Sequence, residues 1–237
     1  MSVQPATTTE SARFAVPQPG TKLYDFLFGL PLIAWYAAYF SAQAPMLLAD
    51  IAAIASGRSS AMLLLDACSK SASVLFAAVM VGLVVIRRPA TTGARGFIPK
   101  AVAFLGAFLG VAILSLPHQT ISWPLQLLST VLVLGGMGFA VYALMWLGRS
   151  ISVMSEARNL VTGGPYGIVR HPLYLGEEIA LVGLTLQFLS PMAVVVFAMQ
   201  LSLQLFRMGY EEQVMREVFP EYSGYALRVK RLVPGLY

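Results

Sequence analysis

Residues 123–147 read WPLQLLSTVLVLGGMGFAVYALMWL, without one Asp, Glu, Lys, Arg or His. A helix rises 1.5 Å per residue, so this stretch would span about 37 Å, more than the roughly 30 Å of hydrocarbon in a bilayer. In lipid the backbone has no water to bond, and a helix satisfies its own N–H and C=O groups. The stretch predicts a transmembrane helix. Gly135-Gly136-Met137-Gly138 lies inside it, a patch of small residues where another helix can approach closely.

The same signal recurs on both sides. Apolar runs cover residues 23–42, 61–86, 101–116, 173–189 and 192–206, the last two joined only by Ser190-Pro191. Residues 43–60 are apolar but broken by Pro45, Asp50 and Gly57, and read either as a short interfacial helix or as an extension of the first span. Charged residues make up only 11% of the 237 positions and mean hydropathy is +0.72. A soluble domain carries about 25% charged residues, so much of this surface must face lipid. The expected fold is all-α and polytopic, with about six transmembrane helices. Residues 1–22 read as a disordered lead-in, polar, Pro/Thr-rich and without the apolar core of a secretory signal. Residues 23–147 then form a four-span region, and 148–237 a unit of loop, helical hairpin and tail.

Lys and Arg set the orientation. Fourteen of the sixteen fall before the first span, after the second, after the fourth and after the last; only Arg58 and Lys70 lie elsewhere. Six spans place all those clusters on one side, which the positive-inside rule makes cytoplasmic. An inner, cell-membrane location follows as the expectation. The net charge of +5 is a topology signal, and basic residues dispersed beside spans do not suit a nucleic-acid partner. The single Cys68 excludes a disulfide framework and reads as a small buried hydrophobe. Two histidines, His118 and His171, fall on opposite faces and build no metal site.

Two segments depart from what a plain bundle needs. The first is Thr162-Gly163-Gly164-Pro165-Tyr166-Gly167-Ile168-Val169-Arg170-His171-Pro172-Leu173-Tyr174-Leu175-Gly176-Glu177-Glu178. Gly163 and Gly164 permit positive φ and close approach to a ligand, and Pro172 suits the first turn of the next helix. Tyr174 and Glu178, four apart, share a face there, with Glu177 turned elsewhere. An interfacial loop explains most of this, but not Glu177-Glu178 about a turn into a span, where a charge is expensive unless it is paired or faces a polar cavity. The second segment follows the last span: Arg207-Met208-Gly209-Tyr210-Glu211-Glu212, then Phe219-Pro220-Glu221-Tyr222, Tyr225 and Arg228. Alone it is an ordinary charged helix. The topology, however, puts both segments on one face.

Gly-Pro-Tyr-x-x-x-Arg-His-Pro-x-Tyr-x-Gly at 164–176, a hairpin, Glu-Glu at 211–212 and Phe-Pro-Glu-Tyr-x-x-Tyr at 219–225 together resemble the integral membrane methyltransferases. That superfamily includes isoprenylcysteine carboxyl methyltransferases and phospholipid N-methyltransferases. The resemblance covers residues 159–237. It implies S-adenosylmethionine as methyl donor, bound on the cytosolic side between the loop, the last two spans and the tail, with no metal. It assigns Pro165, Tyr166, His171, Pro172, Tyr174 and Gly176 to cofactor contact. Glu211 and Glu212 would hold the cofactor's amino-acid end, while Arg170 and Arg207 would orient an acidic acceptor. Glu177-Glu178 departs from the isoprenylcysteine enzymes, which often carry apolar or aromatic residues there.

The function so implied is methyl transfer to a lipid-like or hydrophobic acceptor, in the manner of an isoprenylcysteine carboxyl methyltransferase. A lipid amine and a small apolar thiol stay open as acceptors. Membrane lipids are the expected surroundings, and nothing in the sequence speaks to oligomeric state. A transporter would place its polar groups near the bilayer midplane, and a non-catalytic scaffold would keep the fold without turnover.

Overall fold

A computed structural model describes residues 22–58, 60–90, 92–117, 119–152, 155–235 and 237. The lead-in expected over residues 1–22 lies outside them except for Lys22, as does His118. The chain is an all-α polytopic membrane protein. Its helices are α1 (Lys22–Ala55), α2 (Ala61–Ile86), α3 (Phe97–Phe108), α4 (Trp123–Leu147), α5 (Pro172–Gln187), α6 (Pro191–Val218) and α7 (Tyr222–Arg228).

Five of the described helical segments are long and apolar enough to cross a membrane: 29–55, 61–86, 97–115, 123–150 and 191–218. The third joins α3 to a 3-10 stretch, Leu109–Ser115. The expected sixth span is α5, with 16 residues. At 1.5 Å per residue it measures about 24 Å and falls short of a full crossing. The apolar run 173–189 is longer than its helix, because the helix ends at Phe188, ahead of the turn at Ser190 and Pro191. Residues 43–55 extend α1, which carries both Pro31 and Pro45 inside it. Leu23, Phe26, Leu48, Val131, Met145 and Phe206 are among many large apolar side chains left exposed, as a lipid-facing surface requires. Cys68 is exposed as well, not buried as its residue type suggested.

The bundle is organised by where small residues sit. α5 runs antiparallel along α4, and α6 packs along α3 and its 3-10 continuation. A Cβ on Gly136 would stand 2.4 Å from the Ala180 nitrogen, and one on Gly176 2.7 Å from that of Ala140. Gly183 lies against Ser129, whose hydroxyl donates to the Gly183 carbonyl at 2.8 Å and accepts from Gln187 Nε2 at 2.8 Å. Of the sequence's glycine patch, Gly136 makes the close approach, while Gly135 and Gly138 face open space.

The basic connections gather at one end. Arg88 N donates to Arg149 O at 2.9 Å, and a two-residue antiparallel pairing joins β1 (Thr92–Gly93) to β2 (Glu156–Ala157). The tail closes over the same end: Arg170 N donates to Lys230 O at 2.8 Å and His171 N to Arg231 O at 3.0 Å. The loop and the tail are therefore laced together backbone to backbone, directly before α5 begins.

Candidate active site

Pro172 opens α5, as expected, and His171 precedes it as N-cap. Pro165 and Pro172 are fully buried in the packing that sets the loop's course, and neither is among the residues lining a cavity. Gly164 adopts φ +57°, and a Cβ there would lie 2.3 Å from the Trp146 ring. The Gly163-Gly164 pair thus makes room for Trp146 of α4. Gly176, expected at the cofactor, instead lets α5 seat on α4.

α6 carries a continuous polar row. Gln200, Gln204, Arg207 and Glu211 follow one another at spacings of four, three and four, so they share a helix face. Against it α5 presents Tyr174 and Glu177, three apart. The sequence-based grouping of Tyr174 with Glu178 is therefore corrected: Tyr174 and Glu177 line one cavity together, with Arg207 beside them. Glu178 is buried outside that cavity's wall, with Gln200 of α6 beside it.

The two glutamates of the 211–212 pair do different work. Glu212 has no exposed side-chain surface and sits amid basic groups. Its Oε1 accepts from Arg170 Nε at 2.9 Å and Arg231 Nε at 3.0 Å, and lies 3.2 Å from His171 Nε2. Its Oε2 accepts from Arg231 Nη2 and Arg216 Nη2, both at 3.0 Å. Arg170 also donates through Nη1 to the carbonyls of Ala226 and Val229. The expectation that Glu212 grips a cofactor and Arg170 an acceptor meets a different arrangement, a buried hub tying loop, α6 and tail together. Hydrogen bonds from Arg231 to Glu212 hold that guanidinium above even its ordinary high range.

Glu211 faces a cavity at the rim, also walled by Leu147, Asn159, Leu160, Tyr166 and His171. Its Oε1 accepts from the Tyr174 hydroxyl and from Arg207 Nε at 3.2 Å; Oε2 lies 3.9 Å from His171 Nδ1, beyond hydrogen-bond range. The His171 and Tyr174 rings stack, with planes 6° apart. Burial first, and the Glu211 charge second, keep the Tyr166 phenol neutral, raised above its usual range. Tyr222 and Tyr225 close the tail side; burial pushes Tyr225 up to about 12, and its hydroxyl donates to the Tyr166 carbonyl. Tyr166, His171, Tyr174 and Glu211 are thus brought together as the sequence implied. Leu147, Ser150, Ser152 and Glu156, also in this wall, were missed. They follow α4 closely, and only their proximity to the loop gave a hint.

A second cavity lies deeper, among α1 to α6. Trp35, Phe76, Leu181 and Leu184 give it a mostly apolar wall, and Tyr36, Tyr39, Ser73, Glu177 and Gln200 bring polar groups to it. A small third cavity, termed the passage for its position, shares walls with both. Leu173, Tyr174 and Ser152 line both the rim cavity and the passage; Tyr36, Ala107 and Glu177 line both the passage and the deep cavity. Arg207 stands in the passage with its guanidinium 4.8 Å from the centre of the Tyr174 ring.

Residues 124–222 match the family model of the phospholipid methyltransferases. Over this region the chain is similar to the integral membrane methyltransferases, among them the phospholipid and isoprenylcysteine enzymes. It is 35% identical over 100 residues to protein-S-isoprenylcysteine O-methyltransferase B of Arabidopsis thaliana, covering 39% of this chain and 50% of that protein. It is 31% identical over 116 residues to the cobalt-zinc-cadmium resistance protein CzcN of Cupriavidus metallidurans, covering 48% of this chain and 53% of that protein. A probable protein-S-isoprenylcysteine O-methyltransferase of Oryza sativa is 31% identical over 120 residues, covering 47% and 62%. The chain spans about half the length of the curated relatives it matches.

Proposed function

We propose that the chain transfers a methyl group from S-adenosylmethionine to a hydrophobic acceptor that enters from the bilayer. The observation that carries this reading is the pair of cavities that both share walls with the passage at Tyr174, Glu177 and Arg207. One lies at the rim where the motif residues and most of the charged groups converge; the other lies among the helices behind a mostly apolar wall.

The rim residues fit the donor. Glu211 Oε2, which accepts no hydrogen bond from the described residues and has His171 Nδ1 at 3.9 Å, suits an ammonium, and the faces of Tyr166 and Tyr174 suit a sulfonium. When bound, the cofactor supplies a methyl group on a positively charged sulfur, which needs alignment with the acceptor more than it needs acid or base. Tyr174 and Arg207 fix Glu211 from below, and the Glu212 hub fixes the loop and tail that hold Tyr166 and Tyr225. The apolar wall excludes water from the passage. The basic clusters at this end support an orientation in which the rim and both chain ends face the cytoplasm, in an inner cell membrane.

Ala107 tests the reading, because it lines both the passage and the deep cavity. Ala107→Trp should plug the passage, keep S-adenosylmethionine affinity in calorimetry, and abolish labelled-methyl transfer to lipid extracts. Unchanged transfer by a plugged protein, or no cofactor binding by the wild type, would overturn it.

A further inference from the structure

Around the rim, carboxylates answer the guanidiniums. Glu212 answers Arg170, Arg216 and Arg231, Glu211 answers Arg207, and Glu156 answers Arg158. A groove at the same end of the bundle departs from that pattern. It lies between the start of α1 and the end of α2, and Lys22, Arg87 and Arg149 line it together with Phe26, Val85 and Ile86. Among the described residues no carboxylate lines it. The three stretches that form it, 22–30, 84–90 and 148–150, hold Lys22, Arg87, Arg88 and Arg149 against a single acidic residue, Asp25. The groove is therefore basic on any placement of Asp25.

Arg87 is 7% exposed and lies across α1 at Gly29, where a Cβ would stand 3.1 Å from its Nη2. Arg149 is exposed; its Nε donates to the Ile86 carbonyl at 3.0 Å, and its Nη groups take no acceptor among the described residues. Helix α1 begins and α2 ends here, so their end charges oppose one another and the side chains set the sign. Guanidinium forks and an ammonium suit the oxygens of a phosphate. The other half of the groove is apolar, and Phe26, Val85 and Ile86 are all exposed where the spans leave the hydrocarbon. A soluble phosphate would leave that half in water, whereas a lipid covers it with an acyl chain. A zwitterionic head would bring a cation towards three others; an anionic head would not.

We propose that this groove binds one anionic phospholipid as a resident component of the fold. The phosphodiester sits over Arg87 between Lys22 and Arg149, and an acyl chain lies along Phe26, Val85 and Ile86. The lipid is not a methyl acceptor, because the groove shares no lining residue with the rim cavity, the passage or the deep cavity. It touches the rim only through the chain. The Arg149 carbonyl accepts from Arg88 N at 2.9 Å, and Ser150 and Ser152 directly after it wall the rim cavity. A lipid held by Arg149 therefore braces the turn where that wall begins.

The test needs neither cofactor nor turnover. Native mass spectrometry of the full chain, released from detergent micelles carrying phosphatidylglycerol or phosphatidylcholine, counts the lipids retained. The expected result is one phosphatidylglycerol held at about a tenfold lower concentration than phosphatidylcholine. Lys22→Gln with Arg149→Gln should raise the phosphatidylglycerol concentration needed by about tenfold, since each basic side chain at an anionic lipid surface contributes several-fold. Lys22→Gln alone removes no hydrogen bond to a described residue, and should take part of that loss with an unchanged melt. Arg95→Gln with Lys100→Gln removes the same charge from the same end but outside the groove, and should retain the lipid like wild type. Inorganic phosphate at millimolar concentration should leave the bound lipid in place. Phosphatidylcholine retained as well as phosphatidylglycerol, an equal loss in the Arg95 and Lys100 control, or displacement of the lipid by inorganic phosphate overturns the proposal.

Discussion

Glu212→Gln removes one charge and almost no volume from the hub that joins loop, α6 and tail. Glu212 has no exposed side-chain surface, and Arg170 and Arg231 beside it are 11% and 24% exposed. Both would be left facing each other without a counter-charge. Arg216 is 46% exposed and can turn to water, so its share is small. Breaking a buried pair from one side costs about 3–5 kcal/mol, much of it the stranded charge. A fold stable by about 5–15 kcal/mol would lose a large part of its margin. The loss should also be local. The bonds from Arg170 to the Ala226 and Val229 carbonyls and the pairing of 170–171 with 230–231 depend on this hub. Limited proteolysis should therefore clip the tail after residue 218 well before the bundle melts, and the melt itself should fall by roughly 10 °C. Glu211→Gln serves as contrast: its partner Arg207 still has Glu177 in the same cavity, so the melt should fall less than for Glu212→Gln, while S-adenosylmethionine affinity falls ten- to a hundredfold. If Glu212→Gln keeps the wild-type melt and protease resistance yet loses cofactor affinity as Glu211→Gln does, Glu212 is a cofactor ligand and the hub argument is wrong.

Arg170→Lys should loosen the tail, because one ammonium cannot serve the Glu212 carboxylate and two carbonyls at once; a melt lowered by the equivalent of about 1–3 kcal/mol checks this. Gly136→Val places side-chain atoms into the α5 backbone at Ala180 and should abolish the folded, detergent-stable protein, while Gly135→Val, facing open space, should be tolerated in the same melt. In a Cys68→Ser background, an impermeant thiol reagent added outside cells should label Gln119→Cys but not Thr162→Cys, and the reverse pattern would invert the orientation.

The helices were legible because lipid makes a simple demand on sequence. Trp123–Leu147 has no ionisable residue to interrupt it, and Ser190-Pro191 supplies an N-cap and a first-turn proline at the next start. What sequence misplaced were residues whose roles depend on the neighbouring helix. Gly176 lies within a motif and reads as a ligand contact, yet its missing Cβ answers to Ala140 on α4. Gly164 answers to Trp146 in the same way. Glu211 and Glu212 are adjacent in the chain, but a helix turns 100° between them. One therefore faces the rim cavity and the other the arginines brought by loop and tail, long-range partners that no local pattern records. The same geometry explains why Glu177 looked anomalous. On a helix exposed to lipid a carboxylate there has no physical reason to exist. Between the deep cavity and a passage lined by Tyr174 and Arg207 it has one, since Gln204 donates to its carboxylate and Arg207 lines the same cavity.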